Sequence, residues 1–171
     1  MKDKFILDAC CGPRHMWVNK KHPNAIYIDK RQEKKGFHPF RKNTVVQPDI
    51  LMDFRNMTFE DGSFRLVVFD PPHMTGTLPS SMRMHQVYGV LDKVNWRRDL
   101  RKGFEECWRV LVDYGVLIFK WNDTAITYTE ILKILPQTPL FQHISGMNRT
   151  KTYWACFMKL PEEYNLQETL I

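Results

Sequence analysis

Short apolar runs alternate with polar stretches along most of the chain. Four of these runs are too short for a helix and are typical of buried strands: 4–9, 25–29, 65–70 and 116–120. A further run, 45–51, is interrupted by Pro48 and therefore predicts an irregular or edge strand. Two last runs, 140–144 and 153–159, predict a hairpin that turns around 146–148.

Helical signals lie between these runs. An apolar stripe at i, i+4, i+7, i+8 and i+11 predicts one long helix through Leu100, Phe104, Cys107, Trp108 and Leu111. Pro13 follows the first strand and suits the first turn of a helix. Thr127 and Glu130 form a capping-box pattern, which predicts a helix from there to Leu135.

This alternation predicts an α/β sandwich with a mainly parallel sheet, helices on both faces and an antiparallel hairpin at one edge. Residues 73–96 are rich in Met, Ser, Gly, Pro and His and predict a long loop of functional character. In such folds ligands bind beyond the carboxyl ends of the strands, where the strand order reverses.

Four of the runs are followed by or end in a carboxylate: Asp8, Asp29, Asp53 and Asp70. An acid about 20 residues after the first strand turn, the place of Asp29, is typical of folds that bind the ribose of a nucleoside. The first turn has one glycine, Gly12, and this favours a nucleoside over a dinucleotide with its pyrophosphate. A single such Asp is equally a cap or turn residue, but four together weaken that interpretation.

The run LVVFDPPH, Leu66–His73, resembles the DPPY-type motif of class I S-adenosylmethionine-dependent amino-methyltransferases. The order of the two motifs, the 8–12 turn first and DPPH second, is similar to that in some DNA adenine methyltransferases, in particular small single-domain enzymes of phages and prophages. The resemblance covers about 4–159. It implies a Rossmann-like sandwich with a seven-stranded sheet, and methyl transfer to an exocyclic amine such as adenine N6 or cytosine N4.

The resemblance also implies a catalytic motif of Asp70, Pro71, Pro72 and His73. The Asp70 carboxylate and the Pro71 carbonyl would each accept one N–H of the target amine, and the two prolines would stiffen the turn. His73 stands where these enzymes more usually have an aromatic residue that stacks on the base.

The implied cofactor is S-adenosylmethionine, with S-adenosylhomocysteine as product. Its binding residues would be Asp8, Ala9, Cys10, Gly12, Asp29, Lys30, Asp53, Phe54 and Asp70. Of these, Asp29 would hold the ribose and Asp53 would accept from the adenine amine. The nucleic acid would be contacted by Arg83, His85, Tyr88, Lys120 and Trp121. Trp121 is equally well interpreted as a core indole at a strand end.

Charge and length sharpen this picture. The chain has 171 residues, 25 Lys+Arg against 19 Asp+Glu, and a net charge of +6. Nine of the basic residues lie within 14–42, against two acids. We expect one domain, 1–160, an acidic tail, 161–171, and a nucleic-acid partner, DNA rather than RNA. No separate recognition domain is expected, which predicts low sequence specificity.

Other functions are less favoured by the sequence. An RNA methyltransferase is a close alternative, because the motif recognises the amine and not the sugar. A protein glutamine methyltransferase and a non-catalytic binding or inhibitor protein on the same fold are weaker ones. No membrane span and no metal site are expected, although Cys10 and Cys11 with His15 or His22 are a formal metal option. The cysteine spacing favours reduced thiols and a cytoplasmic location, in a bacterial or phage-infected cell.

Overall fold

A computed structural model describes residues 3–76, 83–147 and 151–165. Its described strands form one sheet, in the order β3-β2-β1-β4-β5-β7-β6. The strands are β1 Ile6–Asp8, β2 Ala25–Asp29, β3 Ile50–Leu51, β4 Phe64–Phe69, β5 Leu111–Asn122, β6 Phe141–Ser145 and β7 Thr152–Met158. Strands β1 to β5 pair in parallel, and β7 pairs antiparallel with both β5 and β6. The predicted α/β fold with a C-terminal hairpin is confirmed.

The strand order reverses beside β1. The chain runs outward through β1, β2 and β3, and then returns to place β4 on the other side of β1. Asp8 at the end of β1 is in register with Val68 of β4. The carboxyl ends of these two strands therefore form the crevice in which ligands of such sheets bind.

Four helices are described: α1 Arg83–Tyr88, α2 Trp96–Arg109, α3 Tyr128–Leu132 and α4 Glu162–Asn165. Four of the five residues of the predicted stripe lie on α2, where Leu100, Phe104 and Cys107 are buried, but the fifth, Leu111, is the first residue of β5. Thr127 caps α3, because its hydroxyl accepts from the Glu130 amide at 3.3 Å. That helix ends three residues before the predicted end at Leu135. None of the described helices has the length and apolar character needed to cross a bilayer.

The run 45–51 contains only a short strand, β3, which lies at the edge of the sheet as predicted. Two local predictions are wrong. No helix follows Pro13: residues 13–24 form turns, and Arg14 has φ 54°, a left-handed conformation that breaks a helix. The region 73–96 is not a continuous loop, because it contains α1 and the first residue of α2.

One face of the sheet carries the main core. Leu7, Val67 and Phe69 of the central strands pack in one apolar cluster with residues of α2 and α3. Gly103 lets α2 come close to the sheet, since a Cβ there would overlap the Phe54 ring and lie 3.0 Å from Phe69. A side chain at position 103 would therefore force α2 away from the sheet.

The opposite face of β1 and β2 carries a smaller cluster. Cys11, Ala25 and Tyr27 are buried there, with Ile6 and Trp17 packed against them. Trp17 belongs to 13–24, so a segment of turns covers this part of the sheet. All four cysteines carry free thiols.

Candidate active site at the carboxyl ends of β1 and β4

Three of the four strand-end carboxylates line one cavity. Asp8, Asp29 and Asp70 surround a space of about 260 Å³ at the carboxyl ends of β1, β2 and β4. Asp8 and Asp29 are almost completely buried, with exposed fractions of 2% and 3%. Cys10 and Gly12 of the first turn line the same cavity. The structure thus brings together five of the nine predicted cofactor residues.

Asp8 is held by two N–H donors and by no cation among the described residues. Its Oδ2 accepts from the Trp17 indole N–H at 2.6 Å, and its Oδ1 accepts from the Cys10 amide at 3.2 Å. Burial raises the pKa of Asp8 to about 7, and the neighbouring charges of Asp70 and Asp29 act in the same direction. A cationic ligand in the cavity would favour the ionised form.

Asp29 ties together the turns that follow β1 and β2. Its Oδ2 accepts from the Gly12 amide and its Oδ1 from the Arg31 amide, both at 2.9 Å. Gly12 has φ 46°, a conformation that favours glycine. A carboxylate has about four lone-pair sites, so two remain for the hydroxyls of a ligand.

Asp70 forms an ion pair that the sequence did not suggest. Its Oδ2 accepts from Lys120 Nζ at 2.7 Å, and both side chains are about one-quarter exposed, at 22% and 24%. Phe69 and Phe119 are in register on the neighbouring strands β4 and β5. The residues that follow them, Asp70 and Lys120, therefore meet at the same edge of the sheet.

A second cavity of about 210 Å³ adjoins the first. The two cavities share Asp70, Tyr88 and Lys120, and the second is also lined by Pro71 and His73. The Asp70–Lys120 pair thus lies between them. Together they reach the size of ordinary small-ligand sites, which begin at about 300 Å³.

His73 is held as a neutral ring in the wall of the second cavity. Burial lowers its pKa, against the opposing effect of the Asp70 charge. Its Nδ1 is buried and has no hydrogen-bond partner within the described part of the chain. The imidazole meets the Trp121 ring edge to face, with centroids 6.1 Å apart.

Tyr88 joins α1 to the turns after β1. Its hydroxyl and His15 Nδ1 are 2.9 Å apart, and both residues line the first cavity. Tyr88 also lines the second cavity, beside Pro71 and His73. The backbones of Arg83 and His85 belong to α1, but their side chains lie outside the described residues.

Several predicted residues do not line either cavity. Trp121 is fully buried, and its indole N–H donates to the Ile126 carbonyl at 2.8 Å. The prediction that Trp121 contacts the substrate is therefore wrong, and its interpretation as a core indole is right. Ala9 is buried beneath the first turn, and Lys30 is exposed outside the cavity.

The residues predicted for the adenine end are engaged elsewhere. The Asp53 carboxylate accepts three hydrogen bonds from Arg55, of 2.6 Å from Nη2, 3.0 Å from Nε and 2.9 Å from the backbone amide. Burial works to raise the pKa of Asp53, but these bonds to Arg55 lower it below its usual range. Phe54 packs in the core, with its ring centroid 5.1 Å from that of Phe69.

The chemistry of this donor set fits one end of S-adenosylmethionine. That molecule combines a sulfonium and an ammonium cation with a ribose diol, and carboxylates complement all three groups. Asp8, Asp29 and Asp70 supply such carboxylates around one cavity. Asp53 and Phe54 do not line it, so the fit extends to the methionine and ribose parts.

Comparison with known proteins identifies the architecture. No protein-family model and no curated protein sequence matches the chain. Similar solved structures include a SAM-dependent methyltransferase of Methanosarcina mazei, with a TM-score of 0.62 at 13% identity over 95% of each chain.

Two further similar structures are those of N-methyltransferases. The N-methyltransferase NodS of Bradyrhizobium japonicum has a TM-score of 0.58 at 14% identity, over 92% of this chain and 86% of its own. It has also been solved in complex with S-adenosylhomocysteine. A 16S rRNA (adenine(1408)-N(1))-methyltransferase of Catenulisporales acidiphilia has a TM-score of 0.52 at 7% identity, over 94% and 87% of the two chains. This protein therefore has the Rossmann-like fold of class I methyltransferases.

Proposed function

We propose that the protein is an S-adenosylmethionine-dependent methyltransferase that modifies an exocyclic amine of a nucleobase, adenine N6 in DNA, with low sequence specificity. One observation carries the proposal. Asp70 lies between a cavity lined by Asp8 and Asp29 and a second cavity lined by Pro71 and His73. When bound, S-adenosylmethionine supplies an electrophilic methyl group.

Asp70 and Pro71 would prepare the target nitrogen. An aromatic amine is a poor nucleophile because its lone pair is delocalised into the ring. The Asp70 carboxylate and the Pro71 carbonyl can each accept one N–H of this amine, which fixes the nitrogen and directs its lone pair. Pro71 and Pro72 are buried and restrict the backbone, so the acceptors are positioned before the substrate arrives.

Lys120 would act as a positioning residue. It bonds one oxygen of Asp70 at 2.7 Å, and no hydrogen bond to the other oxygen occurs within the described residues. The pair thus fixes the carboxylate while leaving Oδ1 for the amine. Lys120 Nζ also lies 5.5 Å from the centroid of the Trp154 ring, which limits its freedom to move away.

His73 would contact the target base. It lines the second cavity, and its lowered pKa keeps the ring neutral at physiological pH. A neutral imidazole offers a flat surface on which the target base can stack, and it carries no positive charge that would attract an anion.

An RNA base is the second candidate substrate. The likeness to a 16S rRNA (adenine(1408)-N(1))-methyltransferase supports it, because the target of that enzyme is an adenine of rRNA. The exocyclic amine is the same in DNA and RNA, and the 2′-hydroxyl distinguishes the two substrates.

Methyl transfer to a panel of nucleic acids tests the proposal. Tritiated S-adenosylmethionine is incubated with the protein and with duplex DNA, single-stranded DNA, ribosomal RNA or transfer RNA. The products are digested to nucleosides and identified by mass spectrometry. We expect N6-methyladenine from DNA. Incorporation of the tritiated methyl group into RNA but not into DNA would favour the second candidate substrate. Binding of the cofactor without methyl transfer to any of the nucleic acids would indicate a non-catalytic protein.

The role of Asp70 has its own test. The Asp70→Ala variant should lose methyl transfer and keep most of its affinity for the cofactor, measured by calorimetry. Asp113→Ala is the matched control, because Asp113 is exposed on β5 away from both cavities. Full activity of Asp70→Ala would contradict the mechanism.

A further inference from the structure

A groove on the turn-covered face of the sheet has no part in the chemistry described above. It has a volume of about 860 Å³ and lies beside β2, between the segment 13–23 and the segment 40–49. This volume exceeds that of either cavity at the candidate active site. Six cationic side chains line it: Lys4, Arg14, Lys20, Lys21, Arg41 and Lys42.

The positive charge of the groove is poorly compensated. Asp49 is the one carboxylate among its lining residues, and its two oxygens accept from Arg14 at 2.8 Å and from the Tyr27 amide at 3.2 Å. The four exposed cations, at positions 20, 21, 41 and 42, form no ion pair within the described residues. A groove with this excess attracts a polyanion.

Arg14 gives the groove a fixed shape. Its guanidinium donates to the Lys20 carbonyl and to the Gln47 carbonyl, both at 2.7 Å, as well as to Asp49. It also lies 3.7 Å from the centroid of the Tyr27 ring. These contacts join the two walls, so the other cations project from a framework that exists before any ligand binds.

One aromatic ring makes the groove suited to nucleic acid rather than to an acidic protein. Phe40 lines the groove and is 67% exposed. A cationic groove with an exposed aromatic ring is the usual combination for a single strand, whose phosphates contact the cations while an unpaired base stacks on the ring.

The groove leads to the candidate active site. Gly12, Pro13 and His15 line both the groove and the 260 Å³ cavity. We propose that the groove binds the backbone of a single-stranded segment of the substrate, next to the target nucleotide, with a base stacked on Phe40. This inference rests on the proposed function. Methylation of a single strand also avoids the cost of extruding a base from a duplex.

Fluorescence anisotropy tests the charge of the groove. The probe is a short labelled oligonucleotide, offered as single-stranded DNA, single-stranded RNA and duplex, without cofactor and at several salt concentrations. The double variant Lys20→Ala/Lys21→Ala should weaken single-strand binding at least about fivefold and reduce the slope of log K against log salt by about 1.4. The matched control is Lys102→Ala/Lys133→Ala, since both lysines are exposed and outside the groove.

A second variant tests the stacking role. Phe40→Ala should weaken single-strand binding about tenfold and leave the salt slope unchanged. Phe141→Ala is its control, because Phe141 is 66% exposed on β6, away from the groove. Circular dichroism of each variant checks that the fold is kept.

Three outcomes would overturn the inference. The groove variants and the control variants could bind alike; duplex could bind more tightly than single strands; or poly-glutamate could compete as well as an unlabelled oligonucleotide, which would indicate an acidic protein partner. The proposed function fails differently. If the wild-type protein binds single strands through the groove but transfers no methyl group to any nucleic acid, the inference about the groove is supported and the proposed methyltransferase activity is contradicted.

If the wild-type protein methylates nucleic acid and the groove variants keep its KM, the activity stands and the groove does not. Methylation of a free nucleoside by the groove variants at the wild-type rate would further separate the two sites.

Discussion

The two faces of the sheet at β1 and β2 are built from different chemistry. On one face, α2 packs apolar side chains such as Leu100 and Phe104 against the central strands with no exposed surface. On the other, the turns of 13–24 are fastened mainly by polar contacts of Arg14 and Trp17. One face can therefore supply most of the stability, which leaves the other face free to carry charge.

Few contacts hold the turns of the polar face, and one of them involves the buried acid Asp8. Trp17 reaches across the cluster to Asp8, whose carboxyl has its pKa raised to about 7 by burial. Each charged hydrogen bond contributes about 1.5–3 kcal/mol, so the loss of a single partner is felt. We expect this face to respond to pH and to polar substitutions, and the α2 face to respond to changes in volume.

The largest effect is expected on the α2 face. Phe104 is fully buried, and its ring centroid lies 5.0 Å from that of Phe157. Phe104→Ala removes this packing and should cost about 3–5 kcal/mol of unfolding free energy in urea titrations. A loss below about 1 kcal/mol, outside the range for buried Phe→Ala changes, would show that this face is not the main source of stability.

The next effect concerns pH and the polar face. Asp8 in the unfolded chain ionises near pH 4, whereas the folded protein retains this proton up to about pH 7. Between these values the folded state binds more protons, so the contribution of Asp8 to stability falls as the pH rises, by about 1.4 kcal/mol for each unit. The fall ends above pH 7, where both states are ionised.

Asp8→Asn is the sharpest test of this linkage. The amide cannot ionise, so the variant should lose that part of the pH dependence and gain about 3 kcal/mol relative to the wild type between pH 5 and pH 7. Unfolding free energies at the two pH values measure the difference. Parallel pH profiles of the two proteins would contradict the raised pKa.

A smaller effect tests how closely α2 packs. In Gly103→Ala the new methyl group would overlap Phe54, and overpacking of this kind costs about 1–3 kcal/mol. Lys102→Ala is the control on the exposed side of the same helix. If thermal unfolding shows the Gly103 variant to be as stable as this control, α2 has room to move that the structure does not show.

The smallest effect is expected from the bonds between the groove walls. Arg14→Met removes three hydrogen bonds but keeps apolar contact with Tyr27. The residues that accept these bonds are exposed, so water replaces the lost partners and the change should cost only about 1–2 kcal/mol. Lys20→Met, an exposed change in the same groove, should cost less. A cost as large as that of Phe104→Ala would erase the distinction between the two faces.

Local signals were sufficient for much of the fold. Short apolar runs bounded by turn residues predicted β1, β2, β4 and β5, because a run of this length is too short for a helix and is buried as a strand. The capping box predicted the start of α3 for the same local reason: Thr127 and Glu130 are only three residues apart.

The turns of 13–24 were not predictable in this way. Pro13 permits a helix, but the segment has no apolar stripe that a helix would bury. Arg14 is instead held in its left-handed conformation beside partners 33 and 35 residues away, Gln47 and Asp49. Contacts at that separation depend on the finished fold.

The residues of the candidate site likewise fall into those that the sequence predicts and those that depend on the finished fold. The carboxylates at strand ends were predictable, since parallel strands end at one edge. The Asp70–Lys120 pair required the strand order, which places β5 beside β4. Trp121 could have been assigned correctly from alternation alone, because Leu117 and Phe119 share its face and are buried.

The turn of Gly12 and Pro13 lines both the groove and the first cavity. Its amide at Gly12 is bonded to Asp29 on the cavity side, and Arg14 begins the groove on the other. A cofactor and a strand bound at the two sites would press on the same peptide planes. If the bound cofactor changes the affinity for the strand by some factor, the bound strand must change the affinity for the cofactor by the same factor. This single turn would therefore set how strongly cofactor binding and substrate binding depend on each other.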